Sequence, residues 1–190
     1  MEMLLGVFTA FGLSASAGLN AYIPLLVVGV IAHYTDWIIL SNPWDLLANP
    51  WVLIVLGILV IIEMLADKVP AVNHINDAIQ TFVRPVAGAI VFAASANVIT
   101  DISPVLALIS GLLVAGSVHA VKSVAVRPVV TATTGGAGNV PVSIAEDIIS
   151  TVMSILAIVI PILMAIMLIV MVVLFFQWRQ RRREKANQEN

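Results

Sequence analysis

The chain has 190 residues, of which 61% are hydrophobic and only 11% are charged, and its mean hydropathy is +1.07. A soluble domain is about 45–50% apolar and about 25% charged, so neither a small soluble globule nor a disordered chain fits this composition. The sequence contains no cysteine, which excludes disulfides, thiolate metal sites and cysteine catalysis. The composition therefore predicts an all-α, polytopic membrane protein.

Charge is unevenly distributed along the chain. Seven of the twenty charged residues lie in the last twelve positions, and the other thirteen are four bases and nine acids. We interpret 1–178 as a single transmembrane domain and 179–190 as a basic tail, which the positive-inside rule places in the cytoplasm. Because nothing aromatic or repetitive extends the basic run, we do not expect it to bind nucleic acid.

Five uncharged stretches approach the roughly 20 residues that a membrane-crossing helix needs. They are 3–32, 46–62, 85–100, 102–118 and 148–178. The first and last are too long for one straight crossing, and they contain Pro24 and Pro161, so we predict broken or strongly tilted helices there. Five crossings would leave the N-terminus outside.

The connections between these stretches carry the remaining signals. Asn-Pro and Ser-Pro pairs mark helix starts at Pro43, Pro50 and Pro104. Three tryptophans between 37 and 51 predict an interfacial connection with a short helix near 43–48. The polar stretches 67–84 and 128–147 either leave the membrane or re-enter it beside a cavity.

Most charges before the tail form four clusters at predicted helix boundaries. The clusters contain, in chain order, Glu63, Asp67 and Lys68; Asp77, Thr81 and Arg84; His119, Lys122 and Arg127; and Ser143, Glu146 and Asp147. Within the first three clusters some members are three, four or seven residues apart and share a helix face: Glu63 and Asp67; Asp77, Thr81 and Arg84; His119 and Lys122. Asp and Thr four residues apart recur at Asp77/Thr81 and Asp147/Thr151, which suggests an internal repeat of the kind found in transporters.

Each cluster also has a purely structural interpretation. Ser143-x-x-Glu146 is a capping box, and 135–138 (Gly-Gly-Ala-Gly) is typical of a flexible turn rather than an anion-binding loop. The buried charges would then pair to associate helices. The alternative is that they line a polar cavity, which we favour because four bases and several acids exceed one isolated pair.

The mixture of charges suits binding of an anion. The bases Lys68, Arg84, Lys122 and Arg127 would hold phosphate or carboxylate, and the nearby acids would neutralise them when the site is empty. Protonation of a buried acid would couple protons to substrate, and broken helices would add positive N-terminal ends. No catalytic motif, cofactor motif or metal-ligand spacing is recognisable, so a metal stays undetermined.

Five segments resemble a small, largely uncharacterised bacterial family of integral membrane proteins that carries a domain-of-unknown-function label. They are 14–24, 63–70, 84–89, 119–127 and 139–147, so the resemblance covers roughly 14–150. It implies that the charged positions, with Asn20 and Asn139, are family features, and it places the chain in a bacterial inner membrane. The chain has Asn73 where an acid is expected, so we do not count residue 73 as a charged ligand.

We therefore predict a membrane carrier with a charged intramembrane cavity for an anionic small molecule or a phosphorylated lipid head group. The alternatives are a membrane enzyme acting on a lipid-linked substrate and a non-transporting helical scaffold. A homo-oligomer is expected, because about five helices rarely enclose a polar path. The candidate binding residues are Asn20, Glu63, Asp67, Lys68, Asp77, Arg84, His119, Lys122, Arg127, Asn139, Ser143, Glu146 and Asp147.

Overall fold

A computed structural model describes residues 2–68, 70–96 and 103–163, together with a few isolated positions after 163. The helices are α1 (Glu2–Leu19), α2 (Tyr22–Tyr34), α3 (Pro50–Ala66), α4 (Pro70–Ala96), α5 (Pro104–Val121), α6 (Arg127–Thr134) and α7 (Asn139–Val159). A 3-10 turn, Trp44–Ala48, precedes α3, and a π-helical segment, Lys122–Val126, joins α5 to α6. The described part of the chain contains no strand, so the predicted all-α class is confirmed.

Within the described ranges, three helical segments are long and apolar enough to cross a membrane. They are Ile75–Ala96, Pro104–Thr134 and Asn139–Val159, and three shorter apolar helices accompany them, namely Leu5–Leu19, Tyr22–Tyr34 and Pro50–Ala66. Large apolar side chains on the outer faces are exposed, as expected where lipid rather than water is the solvent. The polytopic helical architecture agrees with the composition.

The contacts between helices show their relative directions. In α1 and α7, Thr9 contacts Ala157 and Asn20 contacts Asp147, so these two helices are antiparallel. Contacts between the other helices, such as Ser14 with Gly111 and Ala21 with Glu63, give the remaining directions. Helices α1, α3 and α5 run toward one end of the bundle, while α2, α4 and α7 run away from it. The C-terminal ends of α1, α3 and α5 therefore meet the start of α2, the middle of α4 and the N-terminal half of α7 at a single level.

The first predicted span, 3–32, was wrong as a single broken or tilted crossing. The chain reverses direction between α1 and α2, at Asn20 and Ala21, and both residues are buried. The side-chain oxygen of Asn20 accepts the backbone N–H groups of Tyr22 and Ile23, each at 3.1 Å, and thereby caps the new helix. The polar break that the sequence displays is the buried tip of a helical hairpin.

Two further boundaries differ from the sequence prediction. Residues 85–96 of the stretch 85–100 are the second half of α4, because the helix continues through Pro85 from residue 70, and 97–100 lie outside the described residues. The helix that begins at Pro104 continues through the π-helical segment and α6 to Thr134. The described polar residues in 75–84 and 128–134 thus belong to long helices, and Asn76 and Arg84 find partners inside the protein.

The other local predictions have mixed outcomes. Asn49 caps α3 by accepting the N–H of Trp51 at 2.9 Å, whereas Ser103 makes no such bond at α5. The turn at 135–138 is confirmed, with Gly135 in the left-handed region at φ 61°, and α7 ends at Val159 before Pro161. The basic tail 179–190 and residue 73's side chain lie outside the described residues.

The proposed repeat receives no support beyond local chemistry. The Thr81 hydroxyl donates to the Asp77 carbonyl at 2.8 Å, and the Thr151 hydroxyl donates to the Asp147 carbonyl at 2.9 Å. A threonine in a helix can make this bond with any residue four positions earlier. The repeat stays a prediction.

Small residues allow α1, α4 and α5 to approach closely. A Cβ atom on Gly88 would lie 2.2 Å from the Cβ of Ala115, and one on Gly111 would lie 2.3 Å from the carbonyl oxygen of Gly88. A Cβ on Gly18 would lie 2.5 Å from the Cβ of Val118. Close backbone approach is a common means of helix association in membranes, where burial gives little driving force.

Buried hydroxyl groups hold α1 against α7. The Ser16 hydroxyl lies 2.8 Å from that of Ser150 and 2.7 Å from that of Ser154, and the Thr9 hydroxyl donates to the Ala157 carbonyl at 2.8 Å. Each of these oxygens is thereby satisfied in a region without water. We refer to these four hydroxyl residues, Thr9, Ser16, Ser150 and Ser154, as the hydroxyl seam.

Candidate functional site

The four charged clusters of the sequence converge on one buried site, the charge network. It comprises Glu63, Asp67, Lys68, Asp77, Arg84, His119, Lys122, Arg127, Glu146 and Asp147, with Asn20 and Asn76 as amide partners. The site lies where the helices of opposite direction meet. All four described bases form ion pairs, and Arg84 is 0% exposed.

Asp67, at the end of α3, is the centre of the charge network. Its Oδ2 atom lies 3.0 Å from Nη2 of Arg127 and 3.5 Å from Nη2 of Arg84. Nζ of Lys122 lies 3.6 Å from the same oxygen. The other oxygen, Oδ1, accepts a hydrogen bond from the Asn76 amide at 2.7 Å. Three cations from two different helical segments thus converge on a single carboxylate oxygen.

Glu63 connects the network to the start of α2. Its Oε1 atom accepts from Nε and Nη2 of Arg84 at 3.2 and 2.9 Å. Its two oxygens also lie 3.3 and 3.1 Å from the backbone N–H of Ala21, just before α2. The N-terminal end of a helix carries partial positive charge, so this carboxylate sits where an anion is doubly favoured, by the helix and by the guanidinium.

Glu146 lies between Lys122 and Arg127 on the opposite side of the centre. Its Oε2 atom is 2.7 Å from Nζ of Lys122 and 3.4 Å from Nη2 of Arg127. The Lys122 ammonium also donates to the Leu19 carbonyl at 3.2 Å. This carboxylate therefore occupies a two-base clamp.

The π-helical segment explains why the two bases of the clamp face the same way. In an α-helix, residues five apart point roughly 140° apart around the axis. Here the N–H of Arg127 bonds to the carbonyl of Lys122, five residues earlier, and the wider turn brings the two side chains to one side. Sequence spacing alone did not indicate this turn.

Asp147 joins α7 to the hairpin tip and to the end of α3. Its Oδ1 atom accepts from the Asn20 amide at 3.0 Å, and its Oδ2 atom lies 3.2 Å from Nζ of Lys68. The Lys68 side chain is 26% exposed, the largest value among the four bases. This pair forms the outer edge of the network.

His119 is held in one tautomer by its neighbours. Its Nδ1 atom is 3.1 Å from Nη1 of Arg84, and because a guanidinium can only donate, we assign Nδ1 as the acceptor. The proton then lies on Nε2, which is 3.1 Å from the Thr81 hydroxyl, and that hydroxyl donates to the Asp77 carbonyl. His119 is neutral in this arrangement and positions Arg84.

The capping-box interpretation of Ser143 and Glu146 is wrong. Because α7 begins at Asn139, Ser143 lies inside the helix, and the Glu146 carboxylate faces the clamp. The Ser143 hydroxyl is fully buried, and it has no hydrogen-bond partner in the described part of the chain. It lies on the α7 face that carries Asp147 and Ser150, four and seven residues later.

The sequence placed the polar stripe of α4 one position away from its buried face. Asp77 and Thr81 lie at the edge, whereas Asn76, Gln80 and Arg84 are 9%, 2% and 0% exposed. Amide residues at positions i and i+4 before an arginine were the available signal for this face. Sequence reasoning thus missed Asn76, which belongs to the charge network, and Gln80, which is buried on the same face of α4.

Asn139 lies apart from the charge network. Its amide donates to the Thr131 hydroxyl at 3.0 Å, across the turn between α6 and α7. The other twelve predicted binding residues lie in the network or, for Ser143, on the α7 face beside it. Asn139 therefore closes a turn and makes no contact with the charges.

Two grooves flank α7, and neither is the charged cavity that the sequence predicted. The first, about 550 Å³, is lined by Leu19, Ser117, Val118, Val121, Lys122, Val126, Val142, Ala145, Glu146 and Ile149. The second, about 360 Å³, is lined by Ile23, Leu26, Val27, Val60, Met64, Asp147, Ile148, Thr151 and Val152. Both have apolar walls and reach the network at one point, because the charges contact each other directly.

The described residues contain no group of three or more His, Asp or Glu side chains that could hold a metal ion. Comparison with curated proteins and with solved structures finds no match. A family model, in contrast, matches residues 7–181 and includes the whole charge network. The chain therefore belongs to the family described as Domain of unknown function (DUF4126).

Proposed function

We propose that the protein is a membrane carrier for an anion, either a small molecule or a phosphorylated lipid head group. The observation that carries this proposal is the convergence of Arg84, Lys122 and Arg127 on one oxygen of Asp67. Three cations around one point form an anion site, and here the anion is a side chain of the protein itself. Arginine and lysine together are a common means of binding phosphate or carboxylate.

Convergence distinguishes this arrangement from simple helix association. A scaffold needs only separate pairs, and each buried ion carries a desolvation cost that a single salt bridge barely offsets. The network instead joins four acids and three bases through shared ion pairs, with the Lys68–Asp147 pair at its outer edge. Buried charges that carry such a desolvation cost are typical of functional sites in membranes.

The internal carboxylates suggest how the carrier would work. Glu63 holds the start of α2 and Arg84, while Glu146 holds Lys122 and Arg127. An arriving anion would replace one of these carboxylates, which keeps the bases neutralised at every stage. A carboxylate that is displaced inside the protein is favoured in its protonated form, so anion binding would be coupled to proton uptake.

A direct test removes the central negative charge. We expect Asp67→Asn to bind inorganic phosphate more tightly than the wild type, because three cations then lack their shared counter-ion. Asp45→Asn is the matched control, since Asp45 is exposed in the connection before α3. Phosphate-dependent thermal unfolding of the purified full chain in a neutral detergent measures the effect, and flux into proteoliposomes measures transport.

The outcomes separate the candidate functions. A shift for Asp67→Asn that Asp45→Asn lacks supports an anion site, and counterflow of labelled anion supports a carrier. Absence of anion binding in the wild type and in both variants would favour the scaffold, which the complete pairing of the described bases also fits. A chemically altered lipid would instead favour the membrane enzyme.

A further inference from the structure

We infer that the ligand is an amphiphile, a phosphate group attached to a long alkyl chain, which enters sideways from the bilayer through the first groove. This inference rests on the proposed function and selects between its two ligand classes. It comes from the shape and lining of the groove between α1, α5 and α7, together with the clamp at its inner end.

The walls of the first groove suit an alkyl chain. Seven of its ten lining residues are apolar, and two of its wall residues, Val121 and Ile149, are 61% and 47% exposed. Both residues lie on helical segments long enough to cross the membrane, so the groove faces hydrocarbon. Its volume of about 550 Å³ lies within the range of known ligand sites, about 300–1,000 Å³.

The inner end of the same groove suits a phosphate. Lys122 and Glu146 line it, and the Glu146 carboxylate lies between Lys122 and Arg127 at 2.7 and 3.4 Å. A phosphate has the same acceptor chemistry as that carboxylate, so it can take the same position once Glu146 moves away. The alkyl chain would then extend along the apolar walls toward the lipid.

The second groove provides a contrast within the same molecule. It also has apolar walls between membrane helices, but the charged residue in its lining is an acid, Asp147. An anionic head group would meet a carboxylate there rather than a base. Charge complementarity therefore favours the first groove for an anionic amphiphile.

An anion without an alkyl chain would gain no binding energy from the apolar walls of the first groove. Inorganic phosphate has no surface to place against seven apolar residues, whereas each buried methylene of an alkyl chain favours binding. The difference in affinity between an alkyl phosphate and inorganic phosphate therefore measures the contribution of the groove. The difference between the wild type and Glu146→Gln measures competition by the internal carboxylate.

The test compares dodecyl phosphate with inorganic phosphate on the full chain in a neutral maltoside detergent. We expect dodecyl phosphate to raise the unfolding temperature at a concentration at least tenfold lower than inorganic phosphate. Ala145→Trp fills the groove and should abolish this preference, whereas Ala120→Trp, an exposed alanine of α5 outside the groove lining, should retain it. Val142→Phe is a second groove-filling variant, to be used if Ala145→Trp does not fold.

Several outcomes would overturn the inference. Equal affinity for the two phosphates would exclude the groove while leaving an anion carrier intact, and so would an undiminished preference in both groove-filling variants. Glu146→Gln should bind dodecyl phosphate more tightly, so a loss of affinity there would also contradict it. If the wild type binds neither phosphate, the proposed function fails first.

The source of the amphiphile is a separate arm of the experiment. Proteoliposomes of phosphatidylcholine with one-tenth phosphatidic acid offer a two-chain phospholipid, and the same vesicles with a single-chain polyprenyl phosphate offer the other class. Movement of a labelled lipid between leaflets, abolished by Ala145→Trp and retained by Ala120→Trp, identifies the class that is carried. If neither lipid class moves between leaflets, the groove binds the amphiphile but the protein does not carry it across the membrane.

Discussion

The two ends of the helix bundle use different contacts to hold the helices together. Beyond the charge network, toward the opposite end of the bundle, α4 and α5 are in close contact through Gly88 and Gly111, and the hydroxyl seam joins α1 to α7. At the network end, long charged side chains bridge the helices. In lipid, small residues associate helices without any desolvation of charge, so the network end uses the more costly solution.

This difference supports the proposed function of the charge network. Glycine and serine already hold α1, α4, α5 and α7 together, so the charges are not needed for their association. Three substitutions test whether the two ends behave as differently as their contacts indicate.

The largest effect is expected at the network end, from Arg84→Gln. The change leaves the Glu63 carboxylate buried without its two guanidinium bonds, and breaking a buried pair in this way costs about 3–5 kcal/mol. Equilibrium unfolding in mixed micelles measures the loss. The double variant Arg84→Gln/Glu63→Gln should recover part of it, because no unpaired charge remains on either residue.

Lys68→Gln is the matched control for Arg84→Gln. The Lys68 side chain is 26% exposed, and Asp147 keeps its hydrogen bond from Asn20 when the ammonium is removed. We expect a loss below about 1 kcal/mol, as for other partly exposed pairs. Equal losses for the two variants would mean that burial does not determine the energetics of the network.

An intermediate effect is expected at the small-residue end, from Gly111→Ala. The new Cβ would lie 2.3 Å from the Gly88 carbonyl oxygen, so α4 and α5 must separate, at a cost of about 1–3 kcal/mol. Gly57→Ala is the control, because its Cβ would meet no described atom within 4 Å. That change should instead stabilise α3 by roughly 0.5–1 kcal/mol, since alanine is the better helix former. The same unfolding measurement gives both values, and destabilisation of equal size would contradict the packing argument.

The smallest effect is expected in the hydroxyl seam, from Ser16→Ala. The Ser154 hydroxyl keeps the Ser150 carbonyl as acceptor at 2.8 Å, and the Ser150 hydroxyl keeps the Ser16 carbonyl at 3.2 Å. Hydrogen bonds between membrane helices average about 0.6 kcal/mol, and we expect a loss of that size. Ser123→Ala, at an exposed hydroxyl bonded within its own helix region, should have no measurable effect. A loss above 2 kcal/mol would show that the seam, and not glycine packing, holds this end together.

Much of the site was predictable because charge is so rare in this sequence. Each charged residue at a helix boundary is costly in lipid, so Glu63, Arg84 and Lys122 were identifiable as candidates without any structure. Asn76 and Gln80 were missed because neutral amides are common in loops and helix ends. Their burial depends on the exact face that α4 turns toward α3 and α5, which spacing leaves uncertain by one position.

The boundaries of the helices were less predictable. A break at Asn20 and a kink at Pro85 look alike in sequence, as polar or proline interruptions of apolar runs. The chain reverses at Asn20, because its side chain caps a new helix, whereas it continues as a helix through Pro85. The difference depends on which neighbours replace the lost backbone hydrogen bonds, and those neighbours are distant in sequence.

The sequence by itself determined that the protein is helical, that its solvent is lipid and that the candidate site is to be sought among the nine charged residues clustered at helix boundaries. Composition and hydropathy are sufficient for this, because a bilayer penalises every unpaired polar group. Only the tertiary structure decided that four clusters form one network, that Asp67 is its centre and that Glu146 lies in a clamp at the end of an apolar groove. The physical reason is that ion pairing depends on distance in space, and these residues are separated in the chain by as many as 84 positions, from Glu63 to Asp147.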